Sequence, residues 1–170
     1  MADALFSEPR LAELYDPLDP DRRDLDVYVA MAAEFGAESV VDIGCGTGTL
    51  ACLLAQRGLT VTGVDPAAAS LAVARRKPGA DRVTWLHSGG TAVPPLGADL
   101  ATMTGNVAQV FVTDADWAQV LQAIGAALCP HGYLVFETRR PERRAWEEWA
   151  ADTGPVALDI PGRGPGRAAP

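Results

Sequence analysis

The sequence contains no run of about 18 consecutive apolar residues, so it predicts no helix that could cross a membrane. Cysteine and histidine are also scarce. The three cysteines include no CxxC pair, and neither of the two histidines stands at ligand spacing from a cysteine. These shortages argue against a disulfide framework and a structural zinc site, and we expect no bound metal.

Positive charge is in short supply as well. Lys and Arg number 14 against 22 Asp and Glu, which gives a net charge of −8. An acidic surface repels nucleic-acid phosphates and anionic lipid headgroups, so we expect neither nucleic acid nor a membrane as partner and favour a small-molecule substrate. The opening residues MADALFSEPR carry acids where a signal peptide needs a basic and then an apolar segment. We therefore expect a cytoplasmic location.

Residues 22–150 alternate between short β-branched runs and segments with helical periodicity. The predicted strands are Ser39–Ile43, Thr60–Val64, Arg82–Leu86, Ala98–Met103 and Tyr133–Thr138. The predicted helices are Arg22–Phe35, Thr49–Arg57, Pro66–Lys77, Asp114–Leu128 and Pro141–Ala150. This alternation indicates an α/β domain with a doubly wound, mostly parallel sheet that binds its ligand at the carboxyl ends of the strands.

The two flanking segments have a different composition. Residues 1–21 contain three prolines and many acids, so we predict a loose amino-terminal arm or lid with at most one helical turn near Leu11–Tyr15. Residues 151–170 contain eight Gly or Pro. We expect this tail to be partly disordered, with Val156–Ile160 as one candidate strand.

A glycine-rich loop connects the first predicted strand to the following helix in VVDIGCGTGTLA, Val40 to Ala51. Gly44, Gly46 and Gly48 let the backbone approach a ligand closely, and the helix amino terminus offers N–H donors. A dinucleotide-binding fingerprint would need its third glycine at position 49, where Thr49 stands. This spacing argues against an NAD(P)-dependent oxidoreductase, which we keep as an alternative.

Two carboxylates flank this loop in the sequence. Asp42 precedes the first glycine by two residues, where its charge suits a ligand end with an ammonium and a sulfonium better than a pyrophosphate. Asp65 ends the second predicted strand, 21 residues beyond Gly44. A carboxylate there can accept hydrogen bonds from both ribose hydroxyls of an adenosyl group.

At these residues the chain resembles the class I S-adenosylmethionine-dependent methyltransferases, whose first motif is an acid-x-Gly-x-Gly-x-Gly. The resemblance extends from Arg22 to Arg140. It implies a Rossmann-like sheet in the order 3-2-1-4-5, S-adenosylmethionine as the cofactor, and methyl transfer to an unidentified small-molecule acceptor. A noncatalytic protein that retains this fold is a further alternative.

The resemblance also implies which residues contact the cofactor. Beyond Asp42 and Asp65, the expected contacts are Tyr15, Gly44, Cys45, Gly46, Gly48, Pro66, Ser88, Gly89, Thr104, Gly105 and Asn106. The family usually has an acid after the third strand, and this chain has Ser88 and Gly89 there. No catalytic residue is identified, although His87 is the nearest candidate for a general base. Because no histidine or paired cysteine is expected near it, the Cys45 thiol is expected to be inert.

The carboxyl end departs from the family pattern. The family sheet normally has seven strands, and the last two form an antiparallel hairpin. Only residues 151–170 follow the last predicted helix, so we expect a shortened carboxyl end whose terminal hairpin is missing or incomplete. An uncovered fifth strand would favour a homo-oligomer formed through the exposed sheet edge.

Overall fold

The fold is built around a five-stranded sheet in which neighbouring strands run parallel. The computed structural model describes residues 3–144, Glu147, and the backbone of residues 157–160 and 163–167. The strands of the sheet are β1 (Ser39–Ile43), β2 (Thr60–Asp65), β3 (Val83–His87), β4 (Ala98–Met103) and β5 (Leu128–Phe136). Their order is β3-β2-β1-β4-β5, which confirms the predicted topology and places β1 at the centre.

Six α-helices lie within residues 3–144. They are α1 (Ala4–Ser7), α2 (Pro9–Leu18), α3 (Asp26–Glu34), α4 (Thr49–Gln56), α5 (Ala68–Ala74) and α6 (Asp114–Ala127). None of the helices in the described part of the chain is both long and apolar enough to span a bilayer.

Helices cover both faces of the sheet, so the apolar side chains of β1 are buried on both sides. Val40 packs in the same apolar cluster as Leu54 of α4, whereas Ile43 packs with Ile124 of α6. All four side chains are at most 2% exposed. Burial on both faces is the usual condition of a central parallel strand, and it leaves the strand ends as the place for polar side chains.

The amino-terminal arm is the largest departure from the predicted fold. It was expected to be loose, but residues 4–18 form the helices α1 and α2 with only Glu8 between them. Pro9 stands at the first position of α2, where its missing N–H is not needed, and Pro17 lies in the last turn. The Ser70 hydroxyl of α5 donates to the backbone oxygen of Phe6 at 2.9 Å. Tertiary contacts of this kind order a segment whose composition suggested a flexible arm.

The fifth strand begins earlier than its sequence pattern indicated. It was predicted from Tyr133, but Leu128 already pairs with Ala98, and the register shifts before Tyr133 pairs with Leu100. His131 lies inside the strand at this irregularity, with a φ of 70°. The helical pattern and the strand pattern meet without an intervening loop, which is why the boundary was misplaced.

The carboxyl-terminal segment is described only in part. Of the predicted helix Pro141–Ala150, residues Pro141–Arg143 form a 3₁₀ turn that ends at Arg144, and the rest lies outside the described residues except Glu147. Farther on, β6 (Ala157–Ile160) and β7 (Arg163–Arg167) form an antiparallel pair in a sheet of their own. The strand β7 was not predicted, because the letters RGPGR are untypical of a strand. Within the described residues, no further strand extends the five-stranded sheet.

Candidate functional site

A cavity of about 420 Å³ lies at the carboxyl edge of the sheet. This volume is within the range of about 300–1,000 Å³ that is usual for small-molecule sites. Eleven of the thirteen predicted contact residues line it, namely Tyr15, Asp42, Gly44, Cys45, Gly46, Asp65, Pro66, Gly89, Thr104, Gly105 and Asn106. The structure therefore brings together side chains and backbone from the ends of β1, β2 and β4.

Gly48 and Ser88 were expected to contact the ligand but do not line the cavity. A side chain at Gly48 would overlap the Trp85 ring and place its Cβ 2.8 Å from the Cβ of Ala74. Gly48 therefore allows α4 to pack closely on its neighbours. The Ser88 hydroxyl donates to the backbone oxygen of Gly89 at 3.2 Å, so it is satisfied by its own chain.

The other two glycines of the loop differ from each other. A Cβ at Gly44 would lie 2.8 Å from Cγ1 of Val107, so this glycine permits the loop after β4 to approach the glycine loop. A Cβ at Gly46 would meet no atom within 4 Å, although the residue lines the cavity. Gly46 therefore presents bare backbone next to open space, where a ligand can approach closely.

Asp65 connects the glycine loop to the end of β2. Its carboxylate is 7% exposed and accepts the N–H of Gly46 at 2.8 Å and the N–H of Ala67 at 2.7 Å. Burial raises the pKa of Asp65, and these two N–H donors and the nearby His87 act in the opposite direction. Each carboxylate oxygen has a second lone-pair direction, so Asp65 can hold the loop and still accept from a ligand. The sequence indicated only the ligand-binding role.

Asp42 is the most deeply buried acid of the site. Its side chain is 1% exposed, and its Oδ1 accepts the Thr102 hydroxyl at 2.8 Å. Burial raises the pKa of Asp42 to about 7; the Thr102 hydrogen bond lowers it and the charge of Asp65 raises it further. At neutral pH this carboxyl is therefore close to half ionised, and a cation in the cavity would favour its ionised form.

Cys45 and His87 were the candidates for reactive groups. Burial raises the pKa of the Cys45 thiol well above its ordinary value, with Asp42 and Asp65 adding to the effect. The thiol is therefore held in its protonated, unreactive form, in agreement with the sequence interpretation. His87 does not line the cavity, and its Nε2 lies 3.0 Å from the backbone oxygen of Pro66. The structure thus places the suggested base outside the site.

Several cavity residues were missed because no motif spacing marks them. Among them are Phe6 of α1, Phe111 after β4, and Arg22, which precedes α3. Arg22 is the cation among the described residues that line the cavity; its side chain is 22% exposed and its Nε lies 3.2 Å from Asp24. Among the arginines whose exposure the structure describes, Arg22 is the least exposed, and this difference is not visible in the sequence.

The loop after β4 is held from outside the cavity by Glu137, which sequence analysis also missed. Asn106 has a φ of 68°, a left-handed conformation that asparagine tolerates better than most residues, and its N–H donates to Glu137 Oε1 at 3.1 Å. The Tyr28 hydroxyl of α3 donates to Glu137 Oε2 at 2.6 Å. One carboxylate therefore connects α3, the end of β5 and the cavity loop.

Comparison with known proteins places this architecture among methyltransferases. Demethylmenaquinone methyltransferase of Thermus thermophilus is 37% identical over 143 residues, which is 77% of this chain and 62% of that protein. A solved structure of SAM-bound CalS10, an amino pentose methyltransferase from Micromonospora echinaspora, is 28% identical with a TM-score of 0.63, covering 85% of this chain and 61% of that chain. The CcbJ methyltransferase from Streptomyces caelestis has the same fold, with a TM-score of 0.72 at 19% identity over 94% of this chain and 66% of that chain.

The chain spans between 20% and 62% of the length of the curated relatives that it matches. A family model described as a methyltransferase domain matches residues 40–132. The matched range begins in β1, directly before the glycine loop, and continues into β5. Because this match covers more than half of the 170 residues, the chain belongs to the methyltransferase domain family.

Proposed function

We propose that the protein is an S-adenosylmethionine-dependent methyltransferase that acts on a small-molecule acceptor. The observation that carries this proposal is the pair of buried carboxylates, Asp42 and Asp65, on either side of an open glycine loop in a chain of the methyltransferase family. The family match gives no support to the NAD(P)-dependent alternative.

The residues of the cavity fit this cofactor in their chemistry. Gly46 offers backbone beside open space, Asp42 can neutralise a positive ligand end, and Asp65 has free lone pairs for ribose hydroxyls. Pro66 and Gly89 are proposed to flank the adenine. Arg22 is suited to a carboxylate because a guanidinium binds carboxylates in a forked geometry.

The chain's own residues would act mainly by positioning the reactants and excluding water. When bound, S-adenosylmethionine supplies a methyl group on a positively charged sulfur that is already activated for transfer. Thr104, Gly105 and Asn106 border the cavity after β4, where we place the acceptor. Phe6 and Phe111 line the same cavity with apolar rings that displace solvent. Orientation and desolvation of this kind supply several kcal/mol without a nucleophilic side chain.

The acceptor is proposed only as a class. A cavity of about 420 Å³ holds a small molecule but not a duplex, and the net charge of −8 disfavours polyanions. The relatives named above act on acceptors as different as demethylmenaquinone and an amino pentose. The names of these relatives therefore do not narrow the class of methyl acceptor for this chain.

Isothermal titration with S-adenosylmethionine, S-adenosylhomocysteine and NAD tests the proposed cofactor. We expect both sulfur nucleosides to bind and NAD not to bind. Asp65→Ala should weaken both by about 10- to 150-fold, since a lost charged acceptor costs about 1.5–3 kcal/mol. Asp99→Ala is the matched control, because Asp99 also accepts backbone N–H groups but lies at the opposite end of the sheet. Preference for NAD would overturn the proposal, and binding without transfer to any acceptor would favour the noncatalytic alternative.

We also propose a cytoplasmic location and self-association. All three cysteines are free, which suits a reducing compartment. Strand β5 is an edge of the five-stranded sheet within the described residues, and Tyr133 and Phe136 on it are 48% and 42% exposed. Exposed aromatic side chains on an unpaired edge favour contact with a second copy of the chain.

A further inference from the structure

A hydrogen-bonded cluster at the border of the cavity connects the amino-terminal helices to the glycine loop. We define the Asp16 cluster as Asp16 of α2, Thr47 and Thr49 of the glycine loop and α4, and Lys77 after α5. The Thr47 hydroxyl donates to Asp16 Oδ1 at 2.7 Å, and Lys77 Nζ lies 2.8 Å from Asp16 Oδ2. Lys77 also donates to the Thr49 hydroxyl at 2.6 Å. Asp16 is thus the point at which three separate segments meet.

The Asp16 cluster is shielded from solvent more than the neighbouring ion pair. The side chains of Lys77 and Asp16 are 19% and 32% exposed, and Thr47 is 3% exposed. The neighbouring ion pair joins Glu13 of α2 to Arg76 after α5 at 3.3 Å, and the side chains of these two residues are 38% and 62% exposed. Removing one partner of a shielded, hydrogen-bonded pair has a larger effect than breaking an exposed pair, since the remaining charge keeps its desolvation without its partner.

The position of the Asp16 cluster relates it to the cavity. Tyr15, which precedes Asp16, lines the cavity, and its ring lies 5.3 Å from that of Phe6, another lining residue. Thr47 and Thr49 also line the cavity, whereas Asp16 and Lys77 do not. The cluster therefore fastens the segment that carries Phe6 and Tyr15 to the loop that carries the open glycine backbone.

We propose that Asp16 is a positioning residue that holds α1 and α2 closed over the cavity and fixes the glycine loop beneath them. Exchange of the bound nucleoside then requires the Asp16 contacts to Thr47 and Lys77 to break. This inference rests on the proposed function, in that the exchanging ligand is S-adenosylmethionine or its product. Asp16 acts through Thr47 and Lys77 and not on the reacting atoms.

The first measurement uses the protein without ligand. Amide hydrogen exchange over α2 is compared for the wild type, Asp16→Asn and the matched control Glu13→Gln, with circular dichroism to confirm that each is folded. We expect exchange in α2 to rise at least tenfold in Asp16→Asn and to stay within twofold in Glu13→Gln. Equal exchange in the two variants would overturn the proposal.

The second measurement is the dissociation rate of S-adenosylhomocysteine, which cannot react. We expect Asp16→Asn to release it at least fivefold faster than the wild type, and Glu13→Gln to release it within twofold of the wild-type rate. Lys77→Gln should also accelerate release, and the double variant Asp16→Asn/Lys77→Gln should exceed the faster single variant by less than twofold. A purely structural loss of stability would instead give additive effects, and that result, or an unchanged rate in Asp16→Asn, would contradict the proposal.

The sequence offers a third readout, because Lys77 is its one lysine. Acylation of Lys77 by an N-hydroxysuccinimide ester, followed by peptide mass spectrometry, reports how often the Asp16 cluster opens. We expect saturating S-adenosylhomocysteine to slow this reaction at least threefold in the wild type, although Lys77 does not line the cavity. Labelling at an unchanged rate would contradict the coupling. If the wild type binds no S-adenosylhomocysteine, the proposed function fails, and hydrogen exchange in α2 still decides whether Asp16 holds the helix closed.

Discussion

At the scale of single residues, Asp42 makes ligand selectivity depend on pH, and its raised pKa gives the direction of that dependence. Its pKa is raised to about 7, chiefly by burial, so roughly a tenth of it is ionised at pH 6 and nine tenths at pH 8. Only the ionised form neutralises a sulfonium. We expect the preference for S-adenosylmethionine over the neutral thioether S-adenosylhomocysteine to rise about tenfold from pH 6 to pH 8.

Titration calorimetry of both ligands at the two pH values measures this ratio. The variant Asp42→Asn keeps an acceptor for the Thr102 hydroxyl but has no charge, so its ratio should be low and independent of pH. A wild-type ratio that does not change with pH would contradict the role assigned to Asp42.

The same carboxyl affects the stability of the protein without ligand. Because its pKa is higher in the folded state than in the unfolded chain, the stability that its protonated form contributes is complete below about pH 4 and lost as pH rises through about 7. Asp42→Asn should therefore increase the free energy of unfolding at pH 8, by on the order of 4 kcal/mol, and change it little at pH 4. Urea denaturation at the two pH values checks this difference, and a variant less stable than the wild type at pH 8 would contradict it.

Gly48 provides a test of packing beside the site. Its φ is +77°, and a Cβ there would overlap Trp85. Gly58 has a similar φ of +92° but open space around its Cα, so Gly58→Ala is a control for the backbone cost alone. We expect Gly48→Ala to lower the free energy of unfolding by about 1–3 kcal/mol more than Gly58→Ala, as overpacked side chains do. Chemical denaturation measures both, and equal losses would mean that the Trp85 contact relaxes without cost.

These glycines also indicate what the sequence can and cannot reveal at this scale. The spacing of Gly44, Gly46 and Gly48 predicts a tight turn between a strand and a helix, and the structure has one there. Whether a given glycine faces a ligand or a neighbouring side chain depends on Val107 and Trp85, which are distant in sequence. Motif spacing contains no information about those partners, so it could not show that Gly48 faces Trp85 and lies outside the cavity lining.

At the scale of elements, the strands of the parallel sheet were the easiest to predict. The ranges of β1 and β4 agree residue for residue with the sequence pattern, because both strands are buried on both faces and bounded by loop residues. Elements whose order depends on distant contacts were missed. The helix α2 is held by Thr47 and Lys77, which lie far from it in the sequence. Because the composition of residues 1–21 does not reveal these contacts, it suggested a loose arm.

The connection through Glu137 predicts how elements outside the cavity affect the site. Glu137→Ala should free the N–H of Asn106 and weaken S-adenosylhomocysteine binding several-fold, because the left-handed turn at Asn106 loses its support. Tyr28→Phe removes only the hydroxyl donor to the same carboxylate, so we expect a stability loss of about 1 kcal/mol with little change in affinity. Calorimetry and urea denaturation of both variants separate the two effects, and an unchanged affinity in Glu137→Ala would refute the proposed support.

At the scale of the whole molecule, the proposed self-association through β5 predicts that the apparent mass in solution depends on protein concentration. Sedimentation of the wild type should give a mass that rises with concentration, and Phe136→Lys should shift the protein toward the monomer, since charged residues on an edge strand oppose pairing. Val112→Lys is a suitable control, because Val112 is 85% exposed and lies outside that strand. A wild type that stays monomeric at all concentrations would contradict this proposal.

The position of Asp3 on the lining of the cavity has a practical consequence for handling the protein. A purification tag fused ahead of residue 1 would begin within three residues of Asp3, and we expect it to compete with α1 and α2 for space beside the cavity. A tag fused at the carboxyl terminus serves as the comparison. Comparing titrations of the two fusions would also show whether an artificial leader reduces the observed affinity.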